Sequence, residues 1–221
     1  MGKTAIILGA SGLTGNILLK KLLQDKSYDS VKVFLRKSLG FEHPKLSEFT
    51  GNLLDLKSFK KDFTADEVYC CIGTTAAKTP DKQLYKKIDY GIPVAAAKLC
   101  KENGIDTFLV ISALGASVES KVFYNRTKGE MEKEILSLKI PHIYILRPSL
   151  ILGKRSEMRM GETMGKLMMN LFQFFLIGKL KKYQPVKAEK IAMAMIVLAN
   201  LKPDISIIES DRISELSMGS L

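Results

Sequence analysis

Residues 4–15 read TAIILGASGLTG, a short apolar run that passes directly into a loop holding Gly9, Gly12 and Gly15. From residue 13 the pattern changes. Leu13, Ile17, Leu18, Leu22 and Leu23 recur at helical spacing as far as Gln24. Strand, tight turn and helix in that order make a phosphate-binding βα unit. Glycine lets the chain turn sharply, lets a pyrophosphate approach the amides of a helix N-terminus, and lets the helix lie close on the strand. Gly9, Ser11, Gly12, Leu13, Thr14 and Gly15 are therefore the candidate cofactor contacts. The spacing is G-x-x-G-x-x-G, not G-x-G-x-x-G.

Further along, short apolar runs alternate with helical patterns, the signature of βαβ units on a parallel sheet. Strands are expected at Thr4–Leu8, Val31–Leu35, Ser47–Thr50, Glu67–Ile72, Thr107–Ile111 and His142–Leu146, with a last one in ISIIES at 205–210. Their nearly unbroken apolarity suits strands buried on both faces. Helices are expected at Leu13–Gln24, at Val94–Asn103 with Gly104 as its stop, at 121–138 and at Lys187–Asn200. The fold class is α/β, a doubly wound parallel sheet of the NAD(P)-binding Rossmann kind, in a single domain over 1–221. A small C-terminal substrate-side segment is expected at 149–185.

The loops after the other strands extend the dinucleotide reading. Where an NAD site carries an acid after its second strand to hold the ribose 2′-hydroxyl, this chain has Arg36 and Lys37. A guanidinium there suits a 2′-phosphate, so the expected cofactor is NADP(H). Asn52 and Leu53 follow the third strand, where an amide and an apolar side chain can hold an adenine. Gly73, Thr74 and Thr75 leave the fourth strand, with room for close approach and two hydroxyls.

Composition narrows the partners. The 221 residues carry a formal net charge of +11, yet the lysines are scattered in pairs and there is no Trp. Single-strand binders interleave basic and aromatic residues, so no nucleic-acid partner is expected. Cys70, Cys71 and Cys100 are an odd number, and neighbours on a strand point to opposite faces. They read as reduced thiols. The apolar stretch at the N-terminus is too brief for a signal peptide or a membrane span, and the expected location is cytoplasmic. The run LMMNLFQFFLI at 167–177 is likewise too short to span a bilayer, so no membrane span is expected. A helix over 164–177 is a candidate contact for a second copy or a protein partner. No metal site is expected.

The stretch FYNRTKGE at 123–130 places Tyr124 and Lys128 four apart, on one face of a helix. With GASGLTG before it and Ser112 closing the fifth strand, this pattern resembles the extended and atypical short-chain dehydrogenase/reductases. CIGTT, ISALGA, YNRTKGEME, LRPSLILGKR and YQPV follow in the order found in the branch similar to the Tat-interacting-protein group. The resemblance implies that Tyr124 is the general acid/base, and that Lys128 favours its phenolate and holds the nicotinamide ribose. It also implies that Ser112 donates a hydrogen bond to the developing oxyanion. Pro148, Ser149 and Leu150 would then line the nicotinamide.

The asparagine that many such enzymes use for proton relay has no counterpart identifiable in the sequence, since Asn125 falls on the wrong helix face. The reading is an oxidoreductase acting on a small carbonyl or alcohol, with epimerase- or dehydratase-like chemistry open. Its alternative is a non-catalytic NADP(H)-sensing or protein-interaction module.

Overall fold

The computed structural model describes residues 2–153 and 178–218. The strands are β1 Lys3–Leu8, β2 Tyr28–Leu35, β3 Leu46–Thr50, β4 Glu67–Cys70, β5 Thr107–Ile111, β6 His142–Arg147, β7 Ile151–Leu152, β8 Val186–Lys187 and β9 Ile207–Glu209. Seven of them form one sheet in the order β3-β2-β1-β4-β5-β6-β9, every pair parallel. The helices are α1 Leu13–Gln24, α2 Lys82–Lys86, α3 Ile92–Glu102, α4 Phe123–Ser137, α5 Ala188–Leu201 and α6 Ser210–Leu216.

The strands are apolar throughout because both faces are covered. Ala5 and Ile7 of β1 enter one core with Leu18 and Leu22 of α1, Met195 of α5 and Ile213 of α6. Ile6 and Leu8 enter the other, with Val94 and Leu99 of α3 and Met131 and Ile135 of α4. Alternation along a strand divides its side chains between the two. Cys70 and Cys71 obey the same rule, packing into opposite cores, and all three cysteines are free.

Register brings the site together. Leu8 is level with Cys70, Cys70 with Val110, and Val110 with Ile145. The loops that follow β1, β4, β5 and β6 therefore emerge along one edge of the sheet. Strand order reverses between β1 and β4, and a crevice opens at such a switch point.

The doubly wound sheet and its expected strands are present, with shifted ends. β4 stops at Cys70 instead of Ile72, the Cys71 amide giving the last ladder bond to the Leu8 carbonyl at 2.8 Å. β2 starts earlier, at Tyr28, whose buried hydroxyl donates to Glu67. The expected helix at 94–103 has a preceding part: α2 runs through a π-helical turn, Lys87–Gly91, into α3. A π turn inserts an extra residue into a helix and rotates the faces that follow, and such turns gather at functional sites. Here it buries Asp89.

Ile151 and Leu152 pair with Val186 and Lys187, and Gly153 lies against the Leu13 methyls, so the chain after Pro148 passes over the start of α1. Of the 149–185 segment, only its two ends are within the described residues, and the 164–177 contact falls outside them. No helix among the described residues is long and apolar enough to cross a membrane.

Candidate functional site

The glycine loop is built by steric exclusion. Gly9 has φ +85°, and a Cβ there would stand 2.8 Å from the Cys71 carbonyl carbon and oxygen. Only glycine lets the β1 and β4 loops touch in this way. A Cβ on Gly15 would meet the Gly9 carbonyl oxygen at 2.2 Å, so α1 can seat on the turn only without one. Gly12 is the N-cap of α1 and contributes no side-chain cap, and the first turn holds no acidic residue. Its free amides and the positive end of the helix dipole favour an anion. Ser11 and Gly12 are exposed, Leu13 is half-buried, and Thr14 is buried beneath the loop. This cradle fits the pyrophosphate of a dinucleotide.

Arg36 and Lys37 stand exposed at the end of β2. At the end of β3, the Asn52 side chain accepts from the Leu54 amide at 3.1 Å and caps a 3₁₀ helix, Leu53–Phe59. Leu53 itself is in the core, 6% exposed. The apolar contact expected from its side chain is not available, because the 3₁₀ turn points it inward; Leu54 is the exposed neighbour. Gly73 is exposed after β4, the Thr74 hydroxyl pairs with that of Thr79 at 2.9 Å, and the Thr75 carbonyl receives the Lys78 and Thr79 amides.

On the other side of the crevice, α4 presents Tyr124, Lys128 and Glu132 at intervals of four. Tyr124 is at the mouth, 39% exposed, with its ring edge-on to the buried Tyr85 at 6.5 Å. Lys128 is 3% exposed, and its ammonium reaches the Asp89 carboxylate at 3.1 Å and the Ile111 carbonyl at 3.3 Å. Asp89 is 1% exposed, and its second oxygen accepts from the Thr74 amide at 2.7 Å.

Burial alone would lower the Lys128 pKa. The adjoining Asp89 and the neighbouring Tyr124 more than offset that, so the ammonium is held above its ordinary range. Burial pushes the Tyr124 phenol up; Lys128 pulls it down and Asp89 pushes it up again, leaving it above the usual phenol value. Lys128 does favour the phenolate, as expected, but burial is the larger influence and Asp89 opposes the lysine, so the phenol stays above its usual range.

Ser112 also differs from the expectation. Its hydroxyl donates to Glu132, which holds Arg147 through two oxygens at 3.0 and 2.5 Å; Arg147 continues to Glu209 at 3.1 Å. The serine is 3% exposed and its hydroxyl is tied into this network. Pro148 is buried and its carbonyl receives the Leu114 amide at 2.9 Å, while the Ser149 hydroxyl donates to the Gln184 carbonyl. Leu150 is exposed beside them. Among the described residues no group of three His, Cys, Asp or Glu side chains is placed to hold a metal ion.

Asp89, Glu132 and Arg147 were not among the expected site residues. Glu132 carries a signal, since it continues the Tyr124 and Lys128 stripe by four more residues, and Arg147 is the one charge in an otherwise apolar strand. Asp89, within KKIDYG, looks like a solvated charge.

An open parallel sheet with a glycine turn at its switch point and Tyr-x-x-x-Lys on the facing helix defines a Rossmann protein of the extended and atypical short-chain dehydrogenase/reductase type. The chain belongs to the NAD(P)H-binding family, whose model matches residues 9–149. It is similar to Protein FMP52, mitochondrial, of Candida albicans, at 30% identity over 97% of this chain and 98% of that one. Protein HTATIP2 of Rattus norvegicus is 32% identical over 74% of this chain and 69% of its own.

Among solved structures, UDP-N-acetylglucosamine 4-epimerase from Methanobrevibacter ruminantium superposes with a TM-score of 0.69 at 16% identity, covering 94% of this chain and 75% of that one. WbmH of Bordetella bronchiseptica, solved with NAD+, gives 0.68 at 15% identity over 90% and 73%. At such identities the likeness is one of fold. The cytoplasmic location is overturned by the relatives named mitochondrial, in Candida albicans and in Eremothecium gossypii, the latter 29% identical over 96% of both chains. Free thiols indicate reducing surroundings without specifying which compartment supplies them.

Proposed function

We propose that this protein is a mitochondrial NADP(H)-dependent oxidoreductase that moves hydride to or from a small carbonyl or alcohol substrate. The observation that carries the reading is Tyr124 at the mouth of the crevice, half-open to solvent, with the buried Lys128 one helical turn behind it. A bound dinucleotide would supply the hydride chemistry at its nicotinamide. The α1 amides and the Gly9–Gly15 loop would hold its pyrophosphate, Arg36 and Lys37 its 2′-phosphate, and Gly73 the backbone beside it. Lys128 would bind the nicotinamide ribose hydroxyls, and Pro148 and Leu150 would flank the ring. Tyr124 carries the proton to or from the substrate oxygen, and epimerase- or dehydratase-like use of the same pair is compatible with this chemistry.

NADPH oxidation against a panel of aldehydes, ketones and quinones tests the reading. Tyr124→Phe keeps the ring and removes the proton carrier, so turnover should fall on the order of 10²–10⁴-fold with cofactor affinity unchanged. Turnover above about a third of the original rate would refute the assignment. Arg36→Ala should erase a preference for NADPH over NADH of more than about tenfold, read by calorimetry; equal affinities before mutation would remove the NADP assignment.

A second reading, NADP(H) sensing without catalysis, is favoured by one observation: Ser112 gives its hydroxyl to Glu132 instead of offering it to an oxyanion. Tight NADPH binding with no turnover on the whole panel would select it.

A further inference from the structure

We propose that Asp89 is a positioning residue that neutralises Lys128 and so favours the protonated form of Tyr124, the form that donates to a carbonyl oxygen. The inference rests on Tyr124 being the acid/base. In the step it implies, the carbonyl carbon receives hydride and the C=O π pair moves onto oxygen, which takes the Tyr124 proton. A reduced nicotinamide dinucleotide is the reductant and ends oxidised, and the phenolate regains its proton from water.

Geometry places the counter-charge. The π turn at Lys87–Gly91 turns Asp89 inward, the Thr74 amide fixes one oxygen at 2.7 Å, and the Lys128 ammonium meets the other at 3.1 Å. That second oxygen is fully buried and has no aligned hydrogen-bond donor among the described residues, so the ammonium serves it as counterion. Both side chains are almost wholly excluded from water, where unscreened charge acts most strongly. A lone ammonium beneath Tyr124 would draw it toward the phenolate, the form that accepts a proton from an alcohol. With Asp89 present the pair is neutral: burial is what chiefly holds the phenol above its ordinary range, and Asp89 offsets part of the opposing pull of Lys128.

The surrounding titratable groups leave that balance in place. Tyr85 from α2 is pushed up by burial and stays a neutral phenol, and burial lifts the Cys70 thiol of β4 to about 11. Lys86 of α2 is closed on Glu130 of α4 at 2.6 Å and Lys98 of α3 on Glu134 at 2.9 Å, while Lys82 lies over the Phe123 ring.

The test needs no substrate in its first arm. Tyrosine labelled with ¹³C at Cζ is titrated in the cofactor-free protein, with Tyr124→Phe assigning the signal. Asp89→Asn keeps the shape and the acceptor for Thr74, and it should move the Tyr124 midpoint down by about 1–3 pH units. The double variant Asp89→Asn/Lys128→Met buries no unpaired charge and keeps the test available if the single variant fails to fold. Its midpoint should lie within about half a unit of the unmodified protein's.

An unchanged or raised midpoint in Asp89→Asn, or a double variant titrating far above the unmodified protein, overturns the role of Asp89. The second arm compares the saturating initial rates of carbonyl reduction and alcohol oxidation at pH 7: Asp89→Asn should cut their ratio about tenfold, matching one unit of midpoint. A ratio that Asp89→Asn leaves unchanged overturns the role of Asp89 in turnover. A titration that falls as expected in a protein with no turnover sinks the oxidoreductase reading while the charge balance stands.

Discussion

Adding one methyl to the glycine loop separates its structural from its binding duty. In Gly15→Ala the new Cβ would lie 2.2 Å from the Gly9 carbonyl oxygen, 2.7 Å from the Gly9 carbonyl carbon and 3.1 Å from the Ala10 Cα. Those are backbone atoms of a turn already pressed on the β4 loop, so they cannot swing aside. Reaching even 3.0 Å requires α1 to retreat by about 0.8 Å, lifting the fully buried Leu18 and Leu19 from the sheet. Overpacking of this kind costs about 1–3 kcal/mol. For a chain of this size that is a fall in Tm of about 2–12 °C, read by differential scanning calorimetry. Gly12→Ala is the contrast, since its Cβ would stand 3.2 Å from the same oxygen on an exposed turn. Its Tm should hold within about 2 °C, while calorimetric affinity for NADPH drops at least about tenfold, because the methyl occupies the approach to the helix amides. A Gly15→Ala protein with unchanged Tm would refute the packing argument. A Gly12→Ala protein that keeps its affinity would refute the site.

Alkaline pH should destabilise the fold. Tyr28 and Tyr69 are buried around Glu67 and held above the ordinary phenol range by desolvation and that carboxylate, so above about pH 10 the unfolded chain loses protons that the folded one keeps. Stability should then fall by up to about 1.4 kcal/mol per pH unit for each, with Cys70 adding its part from about pH 9; a urea midpoint that stays level between pH 8 and 10.5 would contradict this. Glu132→Gln leaves Arg147 with only the half-exposed Glu209 as an anionic partner among the described residues, and should lower stability by about 1–3 kcal/mol in urea titration. Ser112→Ala should cost only about 1 kcal/mol and leave turnover within threefold; a loss beyond about tenfold would restore the serine as an oxyanion donor.

The parts of this molecule legible in the sequence are those set by local pattern. TAIIL followed by GASGLTG specifies strand, turn and helix because each choice is forced by neighbours a few residues away. The central strands stand out because they are covered on both faces. The start of β2 was obscured by Tyr28, Asp29 and Ser30, a polar-looking opening whose tyrosine is buried by a partner in β4. Leu53 and Leu54 were indistinguishable until the 3₁₀ turn determined which of them faces the core. The helix before α3 reads as lysines and a few apolar residues, and nothing local announces the π turn that brings Asp89 inside. Its burial depends on Thr74 and Lys128, both remote in sequence.

The Tyr124 and Lys128 spacing illustrates the limit most clearly. Four residues on a helix specify which side chains share a face, and the spacing places the two correctly. Spacing carries no information about the potential at the phenol, which is a sum over every charge that burial leaves unscreened. Burial outweighs the effect that the pair alone would have, and a single carboxylate from another helix offsets part of it. The same helix shows the converse in Glu132, where the charge is absorbed by Arg147 and Ser112 at the end of the sheet and so does not repeat the role of Asp89. Two acids thus stand near one tyrosine-lysine stripe. The one on the stripe anchors the strands, and the one outside it is the counter-charge of the lysine.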